Sequence, residues 1–386
     1  MMKQFDVAII GAGPAGSSVA IQLAAKGYSV ALVDREKFPR EKLCGDFLNP
    51  VNWPMLRKLE IDRAILSCLH EKISTFRFTS FSGDETEIPL PKGRTETTFG
   101  LGLRRYDLDY VLLERAKSLG VTVLDGWKPK ALECQADGWI VRAERSDIVV
   151  KVGARLLVGA DGRNSWVAHR LGLADPALIQ GRSVGFQFRL HCANRSPGKV
   201  EIHLFPGGYA GVVGVDDDTV TLGLAIEKHR LFDGRREQSL LKSVLSQNPS
   251  LREILRSASV KEMRSTYPVY FPPRRAYADG VLLVGDAARV SEPVTGEGIY
   301  FALKSGFFAA RTVDAAFQAR DFSASRLRSY QQDCRRAFRP RRAINAVIRL
   351  LIYRPALIAP MIRLSGTEWG LLDRLVHTVC QPEVAS

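Results

Sequence analysis

Apolar residues fall along this chain in three successive regimes. Near the start, Phe5-Asp6-Val7-Ala8-Ile9-Ile10 is a short β-branched apolar run, the mark of a buried parallel strand. Helical spacing follows through Val19, Leu23 and Ala24 to Gly27. A second apolar run, Tyr28-Ser29-Val30-Ala31-Leu32-Val33, then ends at Asp34. Two more runs of this buried kind come much later, at Leu157-Val158-Gly159 and Val281-Leu282-Leu283-Val284. Between Ser183 and Glu227 the pattern changes to short alternating segments (184–190, 200–205, a strand to Val215, and 220–224), with turns at Pro206-Gly207-Gly208 and Asp216-Asp217-Asp218. This predicts an antiparallel meander with one face over a cavity. Beyond Asp321 the spacing is helical again: 327–339, 344–353, and 357–364 after Pro355, with Ile344, Val347, Ile348, Leu351 and Ile352 on one stripe.

The turns between these elements carry the chemistry. Gly11-Ala12-Gly13-Pro14-Ala15-Gly16 joins the first strand to the first helix. Gly11 permits the tight turn, Gly13 lets a pyrophosphate approach the backbone, and Gly16 lets helix and strand pack closely. The helix start offers free N–H groups to the phosphates. Asp34, with Arg35 beside it, closes the second strand where a carboxylate accepts from ribose hydroxyls. These features specify a dinucleotide without choosing between NAD and FAD. The choice comes from Gly285-Asp286-Ala287-Ala288 after the late strand, and from Pro293-Val294-Thr295-Gly296-Glu297-Gly298-Ile299 before another helix. A second phosphate-facing strand end so far along the chain suits an extended FAD. Asp286 would accept from a ribityl hydroxyl, and Gly296, Gly298 and Ile299 would turn N–H groups toward the flavin ring. Asp161, in Gly159-Ala160-Asp161-Gly162, ends a third strand. Alone it reads as a capped strand-to-helix turn; third in this order, it points to the flavoprotein.

Composition narrows the class. The chain has 386 residues, long for one core and comfortable for two, with an ordinary globular balance of 46% hydrophobic and 25% charged residues. No apolar run reaches bilayer length, and the N-terminus enters a strand without a signal-like segment, so the expected location is cytoplasmic. The six cysteines are scattered, with neither a disulfide framework nor metal-ligand spacing, and no metal is expected. Net charge is +14, concentrated between Arg326 and Arg363 as ten arginines against one acid, Asp333. Large aliphatics interleave those arginines and no aromatic stacking platform appears, so a nucleic-acid partner is not expected. The tail reads either as a helical cap with solvated arginines or as a basic surface resting on a membrane.

Together these motifs resemble the flavoprotein superfamily of p-hydroxybenzoate hydroxylase type, which includes aromatic hydroxylases, flavin-dependent halogenases and geranylgeranyl reductases. The likeness covers residues 5–303. Arg105-x-x-Leu108-Asp109-x-x-Leu112 is similar to the segment that sets an arginine beside FAD. Three details resemble the geranylgeranyl reductase-like branch: the run from Pro293 to Gly306; Ala168, where the hydroxylases place arginine; and Phe38-Pro39-Arg40-Glu41-Lys42-Leu43-Cys44-Gly45-Asp46, similar to a mobile segment over the flavin. The resemblance implies an α/β fold: a Rossmann-like FAD-binding domain (1–75, 100–180 and 275–325), an interleaved antiparallel β-sheet substrate domain (76–99 and 181–274) and a C-terminal helical region (326–386). Cys44 and Gly45 would then lie against FAD, Cys44 and Asp46 become candidate proton donors, and Tyr209 and His203 candidate pocket residues. Three departures stand out, one of them Asp46 in place of the reductases' second glycine after Cys-Gly. Only Tyr209 remains of the reductases' aromatic substrate motif, and the tryptophan-containing halogenase motif is absent, which argues against halogenation. The implied function is FAD hydride chemistry on a hydrophobic substrate such as an isoprenoid, lipid or polyketide, with NADPH, NADH or a partner reductase as electron source. The rival is a monooxygenase hydroxylating an aromatic or polyketide-like substrate.

Overall fold

The computed structural model describes residues 2–91, 99–174, 183–192, 197–231, 245–291, 293–365 and 370–381; the remaining stretches of the predicted domain ranges lie outside it. Met2–Ile10 is the central strand of an eight-stranded sheet. It pairs in parallel with Ile148–Gly159 on one side and Val30–Asp34 on the other. Thr122–Asp125 and Val281–Leu283 extend the sheet, also in parallel. The register sets Ile10 beside both Val33 and Gly159, and Gly159 beside Leu283, so these strand ends share one edge. A doubly wound sheet binds its ligand at such an edge. Val7, Ala8 and Ile9 have no solvent exposure, because Pro14–Ala24, Arg105–Ser118 and Gly298–Ala319 belong to the same packed body. Burial on both faces is why these strands read as unbroken apolar runs.

The predicted meander is present and larger than its pattern indicated. Its seven strands run in the order Ser259–Thr266, Ser183–His191, Thr219–Glu227, Gly208–Gly214, Lys199–Phe205, Thr75–Thr79 and Glu85–Pro89. Lys199–Phe205 and Thr75–Thr79 pair in parallel, and every other neighbouring pair is antiparallel. A three-stranded sheet of Phe47–Leu48, Gly100–Gly102 and Glu71–Ile73 bridges the two large ones. The approach there is tight: a Cβ on Gly102 would lie 1.7 Å from the Gly214 carbonyl oxygen.

The tail is helical as expected, with one correction to its divisions. The helical stretches read separately over 327–339 and 344–353 are one helix, Ala324–Ile352, with Pro340 inside it. Proline removes one ladder hydrogen bond; burial of Phe338, Arg341 and Asn345 on either side holds the turn. A further helix, Leu371–Cys380, follows Pro355–Arg363 without having been signalled by the pattern. Ile352, Ile358, Ile362 and Val376 pack with Phe76, Ile202 and Tyr209, so the C-terminal helices cover part of the meander's inner face. Among the described residues, no single helix is long and apolar enough to cross a membrane.

His203 shows how alternation assigns faces. Val200, Ile202 and Leu204 join the inner cluster, while Phe205 joins the cluster on the outer face. His203 shares the outer parity and is fully buried, its Nδ1 2.8 Å from Thr79 Oγ1. Burial, then the charge of Arg77, lowers its pKa to about 3. A histidine kept neutral in the fold but free to protonate once unfolded supports stability above its ordinary pKa. That support is lost as pH falls from about 6.5 toward about 3. We expect His203→Asn to remove a loss of about 1.4 kcal/mol between pH 7.5 and 5.5, measured as the pH dependence of the urea midpoint. Equal pH dependence in both proteins contradicts the assignment.

Candidate active site

The glycine-rich loop is built as its spacing requires. Gly11 has φ +105°, and a Cβ there would lie 2.4 Å from the Ala160 carbonyl oxygen. A Cβ on Gly16 would lie 1.9 Å from the Gly11 oxygen. Pro14 opens the helix, where no N–H is missed, and Ala15 is buried beneath Gly285. Asp34 is buried. Its Oδ2 accepts from the Ala12 backbone N–H at 2.7 Å and its Oδ1 from that of Glu36 at 2.9 Å, so it fixes the loop as well as facing the ribose position. Arg35 is exposed and pairs with Glu36.

Cations gather over Gly13. A Cβ on this residue would stand 3.7 Å from a guanidinium nitrogen of Arg105 and the same distance from one of Arg40. Arg105 makes two 2.7 Å bonds to Asp109, and Arg40 lies 3.0 Å from the same carboxylate. Burial opposes charge on Arg105, but Asp109 outweighs it and raises the pKa. Lys42 stands nearby with its pKa lowered, first by desolvation and then by repulsion from Arg105, Arg40 and Arg35. Three cations at the start of an 11-residue helix share the one close carboxylate of Asp109, and the positive charge left over fits a dinucleotide pyrophosphate. Arg40 and Lys42 were not singled out from sequence, because their meeting with Arg105 depends on a loop crossing to another helix.

The late motifs come to the same edge. A Cβ on Gly285 would lie 2.7 Å from Ala15 Cβ, and Ser18 donates to the Leu303 carbonyl at 3.1 Å. Asp286 is part-exposed and makes no hydrogen bond to the described residues, so its carboxylate is open to a ribityl hydroxyl. Gly296, with φ +64°, approaches Phe47, where a Cβ would meet the ring at 2.6 Å. A Cβ on Gly298 would meet nothing within 4 Å, leaving open space before the helix Gly298–Ala319, in which Ile299 is buried. Asp161 is different. Its oxygens accept from Ser165 Oγ at 2.5 Å and the Val167 N–H at 3.0 Å, so the carboxylate caps the short helix Trp166–Arg170. Its part in the site is to shape the turn against Gly11, whose added Cβ would stand 2.8 Å from Asp161 Cα.

Over this edge lies the segment of Cys44, Gly45 and Asp46. Asp46 has φ +54° and is almost wholly buried. Its Oδ1 accepts from the Arg105 N–H at 3.2 Å; its Oδ2 accepts from Arg189 Nη1 at 2.9 Å and Thr221 Oγ1 at 2.8 Å. Burial raises its pKa against the pull of Arg189. With both oxygens in hydrogen bonds, Asp46 fastens the segment to the meander. Cys44 is half-buried; burial, then Asp46, raises its pKa, so it remains a thiol at neutral pH. Tyr209 lies on the inner face in an apolar cluster with Phe47 and Phe76, its ring centroid 6.3 Å from that of Tyr353. His203, expected in the pocket, faces the other way: the hairpin register pairs Tyr209 with Leu204, and side chains alternate between faces.

A buried ion pair joins the turn at Gly296 and Gly298 to the tail. Glu297 has no exposure and lies 2.5 Å from Arg341 Nη1; Arg341 also donates to the carbonyls of Val379 and Gln381 at 3.0 Å. At this position the tail arginine is buried structure, not a solvated charge. We expect Arg341→Leu to destabilise the protein by about 3 kcal/mol, because a buried carboxylate loses its partner. Adding Glu297→Gln should restore part of that in urea unfolding. A change below about 0.5 kcal/mol in the single variant contradicts this.

The chain is similar to known flavoproteins in sequence and fold. The FAD binding domain family model matches residues 4–205, and the squalene epoxidase model matches residues 153–354. The chain is 30% identical over 350 residues to a digeranylgeranylglycerophospholipid reductase of Methanopyrus kandleri, covering 87% of each chain. It is 28% identical over 357 residues to a 1H-pyrrole-2-carbonyl-(peptidyl-carrier protein) chlorinase of Pseudomonas fluorescens, covering 85% of this chain and 79% of the relative. A geranylgeranyl bacteriochlorophyll reductase-like structure from Thermoplasma acidophilum superposes with a TM-score of 0.82 at 20% identity, covering 98% and 96%. Halogenating and reducing relatives thus stand at similar identity, so ancestry does not reinforce the argument against halogenation drawn from the missing tryptophan motif.

Proposed function

The chain belongs to the FAD-binding flavoprotein family that contains the geranylgeranyl-type reductases and flavin-dependent halogenases, and from that premise we propose that this FAD-dependent oxidoreductase reduces a polyprenyl lipid or similar hydrophobic substrate. The observation that carries the reading is Asp46, which ties the Cys44 segment to Arg189 and Thr221 on the inner face of the meander. Bound FAD supplies hydride exchange at its ring. Arg40, Lys42 and Arg105 would hold its pyrophosphate, and Asp34 and Asp286 would accept from its ribose and ribityl hydroxyls. Cys44 Sγ, which stays protonated, would be the proton donor, and the apolar layer of Phe47, Phe76 and Tyr209 would exclude water. NADPH, NADH or a partner reductase returns the electrons.

A lipid substrate also accounts for the outer surface of the tail. Val347, Leu350, Leu357, Leu364 and Leu371 are each about half exposed (47–55%) among the tail's arginines, a composition suited to contact with a membrane surface. Oxygen chemistry on a lipophilic substrate is the second reading, favoured by the squalene epoxidase match. The test is anaerobic. Reduced holoprotein mixed with a digeranylgeranyl phospholipid should regain the oxidised flavin spectrum while the lipid gains two hydrogens per flavin. A flavin that stays reduced with this lipid and with shorter polyprenyl lipids contradicts the reading.

A further inference from the structure

A second concave site lies beside the flavin edge, and none of the residues assigned above to FAD or to its reaction lines it. The helix Ala324–Ile352, the segment around Tyr270 and Phe271, and the stretch from Arg289 to Ser291 enclose a cavity of about 470 Å³. Five arginines line it: Arg289, Arg335, Arg339, Arg342 and Arg349. Among the described residues no carboxylate lines it. Four of the five recur along one helix at intervals of four, three and seven residues, which puts them on one face. Like charges at such spacing weaken a helix. Four arginines on one stripe therefore need a compensating charge, and neither an ion pair nor a hydrogen bond to the described residues supplies it for Arg335, Arg339, Arg342 or Arg349. Asp333 is turned toward Arg311, and Glu297 is taken by Arg341.

A neighbouring cavity shares Arg289, Arg335 and Arg342 and reaches Gly285 and Asp286 at the flavin edge, and it carries a second sign. Arg274 lines it with only 5% exposure, and its Nε and Nη1 have no hydrogen-bond partner. A buried guanidinium with unfilled donors at a cavity wall is costly unless an acceptor arrives. Arg289 belongs to both walls; burial, then repulsion from Arg342, lowers its pKa to about 10.

The aromatic rings narrow the kind of anion. Arg349 lies 3.8 Å over Tyr270, Arg274 lies 4.3 Å over Phe271, and Arg289 covers Phe301 at 4.1 Å and Phe338 at 4.8 Å. With guanidinium groups on these rings, a nucleobase has no platform on which to stack. A compact, multiply charged anion remains, and guanidinium forks match phosphate oxygens in pairs. We propose that this cavity binds a phosphate or diphosphate group, carried by a soluble molecule or a lipid headgroup. The site stands apart from the reductase reading, since it rests on no flavin step.

The test uses FAD-loaded full-length protein at low ionic strength, titrated with inorganic pyrophosphate in a calorimeter. Saturable binding is expected, with flavin absorbance constant throughout, so that the cofactor is not being displaced. Arg339→Gln with Arg342→Gln should weaken it by about a hundredfold, roughly tenfold for each lost charge-assisted contact. Both side chains are exposed, so the core is untouched, and retained flavin absorbance verifies the fold. Sedimentation with phosphatidylglycerol vesicles, but not phosphatidylcholine vesicles, reversed by pyrophosphate and lost in the double variant, would identify the source as a lipid headgroup. Pyrophosphate binding with no preference between the vesicles would identify a soluble phosphate compound. No pyrophosphate binding, or equal affinity in the double variant, overturns the proposal.

Discussion

Gly16→Ala should yield a protein with less than about a tenth of the wild-type flavin content, although alanine is the better helix former by about 1 kcal/mol. The added Cβ would lie 1.9 Å from the Gly11 backbone oxygen and 3.0 Å from Ala160 Cβ. Neither neighbour is a flexible side-chain end, so the helix must move away from the loop. Overpacking of this kind costs about 1–3 kcal/mol, which exceeds the propensity gain. It also moves the N–H groups that face the pyrophosphate, so cofactor affinity should fall more than stability. Flavin absorbance per protein and thermal melting with added FAD separate the two effects. A variant with full flavin and an unchanged melting temperature would show that helix and loop are not packed as described.

Cys44→Ala should retain FAD and lose about a hundredfold in turnover, the lower end of what a positioned proton donor supplies. Burial and Asp46 raise the thiol pKa, so the proton stays on sulfur through neutral pH. The wild-type rate should therefore be level as pH falls from 8 to 6. Its decline should come only above the ordinary thiol range, and that decline should be missing from the residual activity of the variant. Turnover equal to wild type would remove Cys44 from the chemistry. Asp46 differs in kind, because its variants should disturb segment placement and substrate affinity together with rate.

How much of this was legible in sequence depended on how local each cause was. Gly11, Gly13 and Gly16 could be read because each answers a constraint set within a few residues. Asp34 and Asp286 could be read because strand ends in a parallel sheet converge whatever joins them. Arg40 and Lys42 could not, because nothing near residue 40 announces Asp109 or Arg105. The Glu297–Arg341 pair was hidden for the same reason, and a basic tail disguised one buried arginine among exposed ones. His203 was a different failure. Its parity with Phe205, opposite to Leu204 and Tyr209, follows from alternation once the turn at Gly207 is fixed, and the pocket assignment overlooked it. The stretches 327–339 and 344–353 were read apart because the apolar spacing lapses between them, but packing through Phe338 and Arg341 carries one helix across.

The measurement that bears most directly on the central claim is rapid mixing of anaerobically reduced holoprotein with oxygen, following the flavin spectrum with and without lipophilic phenols and polyprenyl lipids. A hydride-transfer enzyme should pass from the reduced to the oxidised spectrum without a third species under every condition. A transient absorbance distinct from both, consumed faster when a phenol is present, would contradict that account and establish oxygen transfer instead.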